Sequence, residues 1–260
     1  MDFKEDRPLY RFAEIVAALR APGGCPWDRK QTHQSLRPYL IEEAYEALDA
    51  IDSGDPVHIR EELGDVLLQI YLHAEIAREH GEFSIDDVAQ GIIDKIILRH
   101  PHVFGDATVK DAGQVVERWE QIKKQEKPHR ESILDGVPNH LPALLKAYRI
   151  QQKVSRVGFD WETIGDVADK LDEEVGELKQ ALTADDRDHI IEEAGDMLFS
   201  VANLLRFMEI NPEEALAKTI AKFTARFKYI EKRAADAGKR LEDMTIDEME
   251  NVWQESKEKM

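Results

Sequence analysis

Cysteine and long apolar runs are what this sequence lacks most clearly. Its single cysteine, Cys25, cannot form an intramolecular disulfide, which excludes a small secreted domain held together by disulfides. No apolar stretch approaches the length needed to cross a bilayer, and the charged segment 1–6 is not followed by the apolar run of a signal peptide. We therefore expect a cytoplasmic protein without a membrane partner.

Basic residues are also few. The chain has 35 Lys and Arg against 53 Asp and Glu, which gives a formal net charge of −18 at pH 7. Affinity for a nucleic-acid polymer comes mainly from clustered cations, so this balance argues against such a partner. If the ligand carries phosphates, something cationic must mediate, and a metal ion is the natural candidate.

Glycine and proline are sparse, with 14 and 10 residues in a chain of 260. They are clustered between long stretches rich in Glu, Ala, Leu, Lys and Ile, the residues that lose least on entering a helix. The sequence therefore predicts an all-α protein. Its length is enough for two modest domains, each with a core of its own.

The chain contains an internal repeat at an offset of 131 residues. The segment HIREELGDVL at 58–67 matches HIIEEAGDML at 189–198, and the pattern Glu-Glu-x-x-Glu at 42–46 recurs at 173–177. Flanking residues recur as well: Lys95 and Arg99 as Lys222 and Arg226, and Trp119 as Trp253. The region between the copies is dense in proline and glycine, which predicts domains at 1–130 and 131–260.

Helix signals are readable in the first copy. Apolar residues from Leu36 to Ile51 recur at helical spacing, and the segment 53–56, Ser-Gly-Asp-Pro, ends that helix and caps the next. The second helix is predicted over about 57–79, a third from the cap at Ser84 to Arg99, and a fourth over about 111–126. Four helices per copy predict a tandem repeat of two four-helix-bundle-like domains.

Acidic residues pair up on two successive helices of each copy. Glu43 and Glu46 are three residues apart, as are Glu62 and Asp65, so each pair shares a helix face. Apolar residues continue these faces, which predicts that the acids point into the bundle. The corresponding residues of the second copy are Glu174, Glu177, Glu193 and Asp196.

Four inward-facing carboxylates need a counter-charge, because burying even one unpaired anion is very unfavourable. Hard oxygen ligands of this kind suit Mg²⁺, with Mn²⁺ as the alternative, and both ions also bind phosphate oxygens. A solvated acidic face is the ordinary interpretation of one such cluster in so acidic a chain. Matching spacing in two copies favours metal sites instead.

Other classes of protein account for the pattern less well. A di-iron four-helix protein would need Glu-x-x-His pairs, which the motifs lack. The sequence has no Walker loop and no dinucleotide-binding glycine pattern, which argues against a P-loop nucleotidase. A non-catalytic helical protein that binds nucleotides or acts as a scaffold, with solvated acids, is the remaining alternative.

Taken together, the motifs resemble a known family. Glu-Glu-x-x-Glu followed by Glu-x-x-Asp, at 42–46 with 62–65 and again at 173–177 with 193–196, is similar to the signature of the all-α NTP pyrophosphatase superfamily. Within that superfamily the chain resembles MazG over nearly its whole length. Besides the tandem arrangement, the likeness is carried by 24–28, 99–104, 118–120 and 157–161.

The resemblance implies an enzyme that hydrolyses nucleoside triphosphates to the monophosphate and pyrophosphate, with water attacking the α-phosphorus. It also implies Mg²⁺ dependence, broad base tolerance, a homodimer and a role in nucleotide-pool housekeeping. The implied metal ligands are Glu174, Glu177, Glu193 and Asp196 in the second copy, and Glu43, Glu46, Glu62 and Asp65 in the first.

The same resemblance implies roles for neighbouring residues. An acid beside the ligands is expected to activate the water, either Glu173 or Glu192, with Glu42 and Glu61 as their counterparts in the first copy. The implied substrate contacts are Lys170, Glu174, His189, Lys222, Arg226 and Trp253. A solvated helix face is the alternative for Lys222 and Arg226, and a core anchor is the alternative for Trp253.

Two further expectations separate the copies and their aromatic residues. Where the second copy has Lys170, the first has Tyr39, which offers no charge to a phosphate. We therefore expect the second copy to be the main catalytic domain and the first to be weaker, differently selective or regulatory. Trp27 and Trp161 are assigned mainly to packing.

Overall fold

The structure, a computed structural model, describes residues 7–109, 111, 113–115, 118, 122 and 132–259. Within these residues every regular element is a helix, which confirms the predicted all-α class. No described helix is both long enough and apolar enough to cross a membrane. Trp119 and most of the helix predicted over 111–126 lie outside the described residues.

The chain divides into two compact units, Met1–Pro128 and His129–Met260. The continuously described α-helices of the first unit are α1 (Pro8–Arg20), α2 (His33–Ser53), α3 (Pro56–Glu79), α4 (Ile85–Arg99) and the short α5 (Pro101–Phe104). Helix α3 is central, because α2 packs along it and α1 and α4 also contact it. The buried core consists of Val16, Leu36, Tyr71, Leu72 and Ile76.

Local capping explains where the first-unit helices begin and end. Gly54 follows α2 with a φ of +70°, a left-handed conformation that glycine adopts at little cost. The Asp55 side chain then accepts a hydrogen bond from the Val57 N–H, and Pro56 occupies the first turn of α3. Ser84 and Asp87 form a capping box at the start of α4. These ends lie where the sequence predicted them.

The second unit repeats this plan with five helices. They are α6 (Ala143–Ser155), α7 (Ile164–Ala184), α8 (Arg187–Phe207), α9 (Pro212–Asp236) and α10 (Ile246–Lys259). Helix α7 packs along α8 as α2 does along α3, and α6 and α9 contact α8. Thr163 caps α7 and Asp186 caps α8. The caps fix where the acidic motifs start on the two helices.

Part of the predicted apolar surface is exposed. Leu36 is 1% exposed, but Leu48 and Ile51, which continue its pattern on α2, are 54% and 52% exposed. Helix α4 has no buried residue, although several isoleucines lie along it. The helical periodicity therefore predicted the helices correctly but did not predict that these apolar faces are exposed in the described part of the chain.

Candidate metal centre and adjoining cavity

The second unit brings three carboxylates together between α7 and α8. One oxygen each of Glu174, Glu177 and Glu193 lies within 4.8 Å of the others. Glu174 and Glu193 are only 5% and 8% exposed, whereas Glu177 is exposed. Because Glu174 and Glu177 share a face of α7, the short link between the helices is enough to place Glu193 opposite them.

Two basic side chains contact this cluster. Lys170 Nζ lies 3.0 Å from Glu174 Oε1 and 2.9 Å from Glu173 Oε1. His189 Nε2 lies 2.9 Å from Glu193 Oε1. Hydrogen bonds to Glu173 and then to Glu174 raise the pKa of Lys170, so this side chain is a permanent cation at neutral pH.

The cluster nevertheless keeps unmatched negative charge. Glu193 Oε2 is buried and has no hydrogen-bond partner among the described residues. Desolvation, followed by the charges of Glu193 and Glu174, raises the pKa of Glu177. An orphaned carboxylate oxygen beside two other carboxylates is what a divalent cation requires, since Mg²⁺ prefers oxygen ligands of this kind.

The first unit has a similar cluster with different surroundings. Glu43, Glu62 and Asp65 offer oxygens within 4.8 Å of one another, and all three are partly buried. Burial, and then the charge of Asp65, raises the pKa of Glu43. His58 Nε2 lies 3.2 Å from Glu62 Oε1, which repeats the contact between His189 and Glu193.

Position 39 distinguishes the two units next to their clusters. Tyr39 stands where the second unit has Lys170, and its ring packs edge-on against Trp27 at 5.8 Å between centroids. The first cluster therefore has an aromatic pair in the place from which a lysine reaches the second cluster.

Three of the predicted ligands differ from expectation. Glu46, Glu177 and Asp196 are exposed in the single chain, so the prediction that all eight acids point inward is wrong for them. Glu46 and Asp196 also lie outside the close triplets that the structure forms. Their role as ligands stays a prediction.

The predicted base candidates lie on either side of the second cluster. Glu173 accepts a hydrogen bond from Lys170 and is therefore held beside Glu174. Glu192 is exposed on α8, one residue before Glu193. Both are next to a cluster residue in sequence, but neither belongs to the close triplet.

Arg226 and Trp253 come together on α9 and α10. The Arg226 guanidinium carbon lies 5.6 Å from the centroid of the Trp253 ring, and the Phe223 ring packs against the same tryptophan at 5.1 Å. Arg226 Nε is buried without a hydrogen-bond partner in the described part of the chain. Lys222 is exposed one turn before Arg226. Trp253 therefore contacts an arginine, and its role as a substrate contact stays a prediction.

A cavity of about 530 Å³ adjoins the second cluster, shares Glu174 with it, and is also lined by Lys170 and Asp196. Its other walls come from α6, α7, α8 and the loop before α7. The residues that matter for its chemistry are Gln151, Phe159, Asp160, Trp161, Phe199, Asn203 and Arg206. Trp161 is 44% exposed and lines this cavity, so its assignment to packing is wrong.

Sequence reasoning missed Gln151, Asn203 and Arg206, three of the polar residues of the cavity. Arg206 Nη1 donates to Asp160 Oδ2 at 3.1 Å, and Arg206 Nε donates to Asn203 Oδ1 at 2.9 Å. Gln151 is 5% exposed and donates from Nε2 to the Phe199 carbonyl at 2.9 Å. The only available signal was the motif at 157–161, which carries Asp160 and Trp161.

Comparison with known proteins gives one family. The family described as MazG nucleotide pyrophosphohydrolase domain matches residues 31–104 and again residues 163–230. These two stretches contain α2 with α3 and α7 with α8, and therefore both carboxylate clusters.

Full-length relatives show the same likeness. The chain is 48% identical over 244 residues to the nucleoside triphosphate pyrophosphohydrolase/pyrophosphatase MazG of Thermotoga maritima, covering 94% of this chain and 93% of that one. It is 42% identical over 254 residues to the nucleoside triphosphate pyrophosphohydrolase of Escherichia coli K12, covering 95% and 96%. It is 50% identical to the uncharacterized protein YabN of Bacillus subtilis, covering 98% of this chain but 53% of that protein.

Proposed function

The chain belongs to the MazG family of nucleoside triphosphate pyrophosphohydrolases, and we propose that its second unit hydrolyses nucleoside triphosphates to the monophosphate and pyrophosphate with Mg²⁺. This makes it a hydrolase acting on acid anhydrides. The observation that carries the assignment to the second unit is the triplet of Glu174, Glu177 and Glu193, two of them buried, with Lys170 beside it. We further infer broad base tolerance and a role in nucleotide-pool housekeeping in the cytoplasm.

The residues present fit a divalent cation. Glu174, Glu177, Glu193 and Asp196 would hold it, because three of them already converge and the Glu193 Oε2 atom has no partner among the described residues. When bound, Mg²⁺ would neutralise phosphate charge and lower the pKa of a water molecule that it binds. Mn²⁺ is the alternative ion, since it accepts the same oxygen ligands.

Side chains of the protein accept the proton of the attacking water and bind the phosphates of the substrate. Glu173 or Glu192 accepts the proton of the attacking water, because each carboxylate lies beside a ligand without belonging to the triplet. Lys170 is a cation that contacts the cluster and lines the cavity, where it can bind a phosphate oxygen. His189 lies beside Glu193 for a second contact, and Lys222 with Arg226 offers two more charges on one face of α9.

Exposed apolar residues on α2 and α4 indicate that these helices pack against a second copy of the chain. Leu48 and Ile51 on α2 and Ile93 and Ile97 on α4 are 46% to 54% exposed, which is unusual for aligned apolar residues of a stable helix. We infer a homodimer that covers these faces. Sedimentation at micromolar concentration should give twice the mass of one chain, and a stable monomer would contradict the inference.

The reaction is tested by product analysis. The protein is incubated with a mixture of nucleoside triphosphates and Mg²⁺ in ¹⁸O-labelled water, and the monophosphate, pyrophosphate, diphosphate and orthophosphate are quantified separately. We expect monophosphate and pyrophosphate in equal amounts, with the label on the monophosphate because water attacks the α-phosphorus. Diphosphate with orthophosphate would refute the proposed reaction.

The base is tested by Glu173→Gln and Glu192→Gln. The variant that removes the base should lower kcat by about 10²- to 10⁴-fold, the usual contribution of such a group, while Mn²⁺ affinity stays near that of the parent. A similar small loss in both variants would exclude both residues as the base.

A further inference from the structure

We propose that the cavity beside the second carboxylate cluster holds the nucleobase of the substrate, and that Gln151 and Asn203 bind the hydrogen-bonding edge of that base. This inference rests on the proposed function, because it places the nucleoside of the same substrate. It also assigns base binding to residues other than Trp253.

The position of the cavity fits a nucleoside. Glu174 belongs to both the cavity wall and the cluster, and Lys170 and Asp196 also line the cavity, so a ligand whose phosphates reach the carboxylates has room beside them for its remaining part. Its volume of about 530 Å³ lies within the range of pockets that bind small molecules. Trp161 and Phe199 supply aromatic walls, on which any base can stack.

Gln151 supplies a hydrogen-bond acceptor whose orientation is fixed. Its Nε2 atom donates to the Phe199 carbonyl at 2.9 Å, which determines which end of the amide is oxygen. The Oε1 atom is buried and has no partner in the described part of the protein. Buried polar groups are nearly always hydrogen-bonded in folded proteins, so an orphaned acceptor in a cavity wall indicates a ligand donor.

Asn203 supplies the complementary donor. Arg206 donates from Nε to Asn203 Oδ1 at 2.9 Å and is itself held by Asp160, so the oxygen of the Asn203 amide is occupied. The amide nitrogen Nδ2 is left to donate to a ligand. One donor and one acceptor match the N1 and N6 groups of adenine, and cytosine and guanine also present an acceptor next to a donor.

The first unit lacks an amide at the position that corresponds to Asn203. At the offset of 131 residues, Leu72 corresponds to Asn203 and Leu36 corresponds to Val167. Leu72 and Leu36 are 2% and 1% exposed and belong to the hydrophobic core of that unit. The first unit therefore has a core leucine where the second has the amide of Asn203, whereas the other pair is apolar and buried in both units.

The test compares adenine with purine, which lacks the 6-amino group and therefore the donor to Gln151. Dissociation constants of AMP and purine riboside 5′-monophosphate are measured by calorimetry with Mg²⁺, and KM and kcat are measured for the two triphosphates. In the parent protein we expect the purine ligands to bind about 5- to 10-fold more weakly, the usual effect of one lost hydrogen bond, with little change in kcat.

Three variants are compared with the parent. Gln151→Met should bring the ratio of the two affinities close to one, whereas the matched control Gln152→Met, on the same helix but outside the cavity lining, should keep the parental ratio. Asn203→Leu, which installs the residue of the first unit, should weaken both ligands while Mn²⁺ binding is unchanged. If Gln151→Met does not fold, the affinities of Asn203→Leu for the two ligands decide whether the cavity is the base site.

The outcomes separate this proposal from the proposed function. Equal affinity of the parent protein for the two monophosphates, or a parental ratio in Gln151→Met, would overturn the cavity as the base site even if hydrolysis proceeds. If the ratio of the two affinities changes in Trp253→Leu but not in Gln151→Met, the cavity is not the base site. The base would then bind beside Trp253 on α10. Discrimination in binding without any hydrolysis would contradict the proposed function alone.

Discussion

Replacing Glu193 by glutamine removes one charge from the second cluster while keeping the shape of the side chain. Glu193 and Glu174 are both nearly buried, and their oxygens lie within 4.8 Å of each other. At that distance and an effective dielectric constant of 20, two unit charges repel by about 3.5 kcal/mol. Lys170 and His189 offset part of this repulsion. Glu193→Gln should therefore be at least as stable as the parent protein in EDTA.

With Mg²⁺ present, the parent protein should be more stable than Glu193→Gln. A ligand that binds only the folded state at one hundred times its dissociation constant stabilises it by about 2.7 kcal/mol. If Glu193→Gln weakens binding 100-fold, the same concentration contributes only about 0.4 kcal/mol. The parent should therefore gain clearly in thermal stability with Mg²⁺, and the variant should gain almost nothing.

Scanning calorimetry of the parent and of Glu193→Gln, in EDTA and with Mg²⁺, measures both changes in stability. The relevant unfolding transition is the one whose midpoint shifts when Mg²⁺ is added. Glu62→Gln is the matched control, because it makes the same change at the corresponding position of the first unit. It should keep most of the hydrolytic activity, whereas Glu193→Gln should lose it. A full Mg²⁺ shift in Glu193→Gln, or equal losses of activity in the two variants, would refute the reasoning.

Three further predictions concern groups around the clusters. Lys170→Met should raise KM for nucleoside triphosphates by about 10-fold or more in steady-state assays, since a contact to a charged group is lost; an unchanged KM would exclude the phosphate contact. The hydrogen bond from Arg20 lowers the pKa of Glu79 below its usual 4.5, so its stabilisation is present above that value and is lost as pH falls through the lower folded pKa. Thermal unfolding between pH 3 and 6, about the interval in which such a carboxyl titrates, should show a weaker acid dependence in Glu79→Gln, and parallel curves would contradict this. Thr163→Ala removes the side-chain cap of α7 and should lower the free energy of unfolding by about 1 kcal/mol in urea titrations; an unchanged value would mean that the cap contributes nothing.

Helix ends could be predicted from the sequence because they depend on a few neighbouring residues. The segment 53–56 specifies both the left-handed glycine after α2 and the cap of α3, and Ser84 with Asp87 specifies the start of α4. The covering of apolar faces could not be predicted in this way. Leu36 and Leu48 follow the same helical period, yet one is in the core and the other is exposed, because burial depends on which element packs against each turn.

The carboxylate clusters could be predicted for a similar reason. Residues three apart on a helix share a face whatever the fold, and a short connection places the next helix alongside. Gln151 and Asn203 gave no such signal, since amides are common in helices and these two come from α6 and α8. Only packing reveals that one has an orphaned oxygen and that the other is oriented by Arg206.

The two units differ beside their carboxylates more than in them. Both have three oxygens within 4.8 Å, and both place a histidine against an equivalent acid, His58 against Glu62 and His189 against Glu193. The neighbouring positions diverge, from Lys170 to Tyr39 and from Asn203 to Leu72. Tyr39→Lys would restore a cation four residues before Glu43, but the region around Leu72 would remain filled by the core. We therefore predict that Tyr39→Lys lets the first unit bind a metal ion but not a nucleotide, because we propose that the metal needs only the acidic faces of two helices, whereas the nucleotide also needs space and amides beside them.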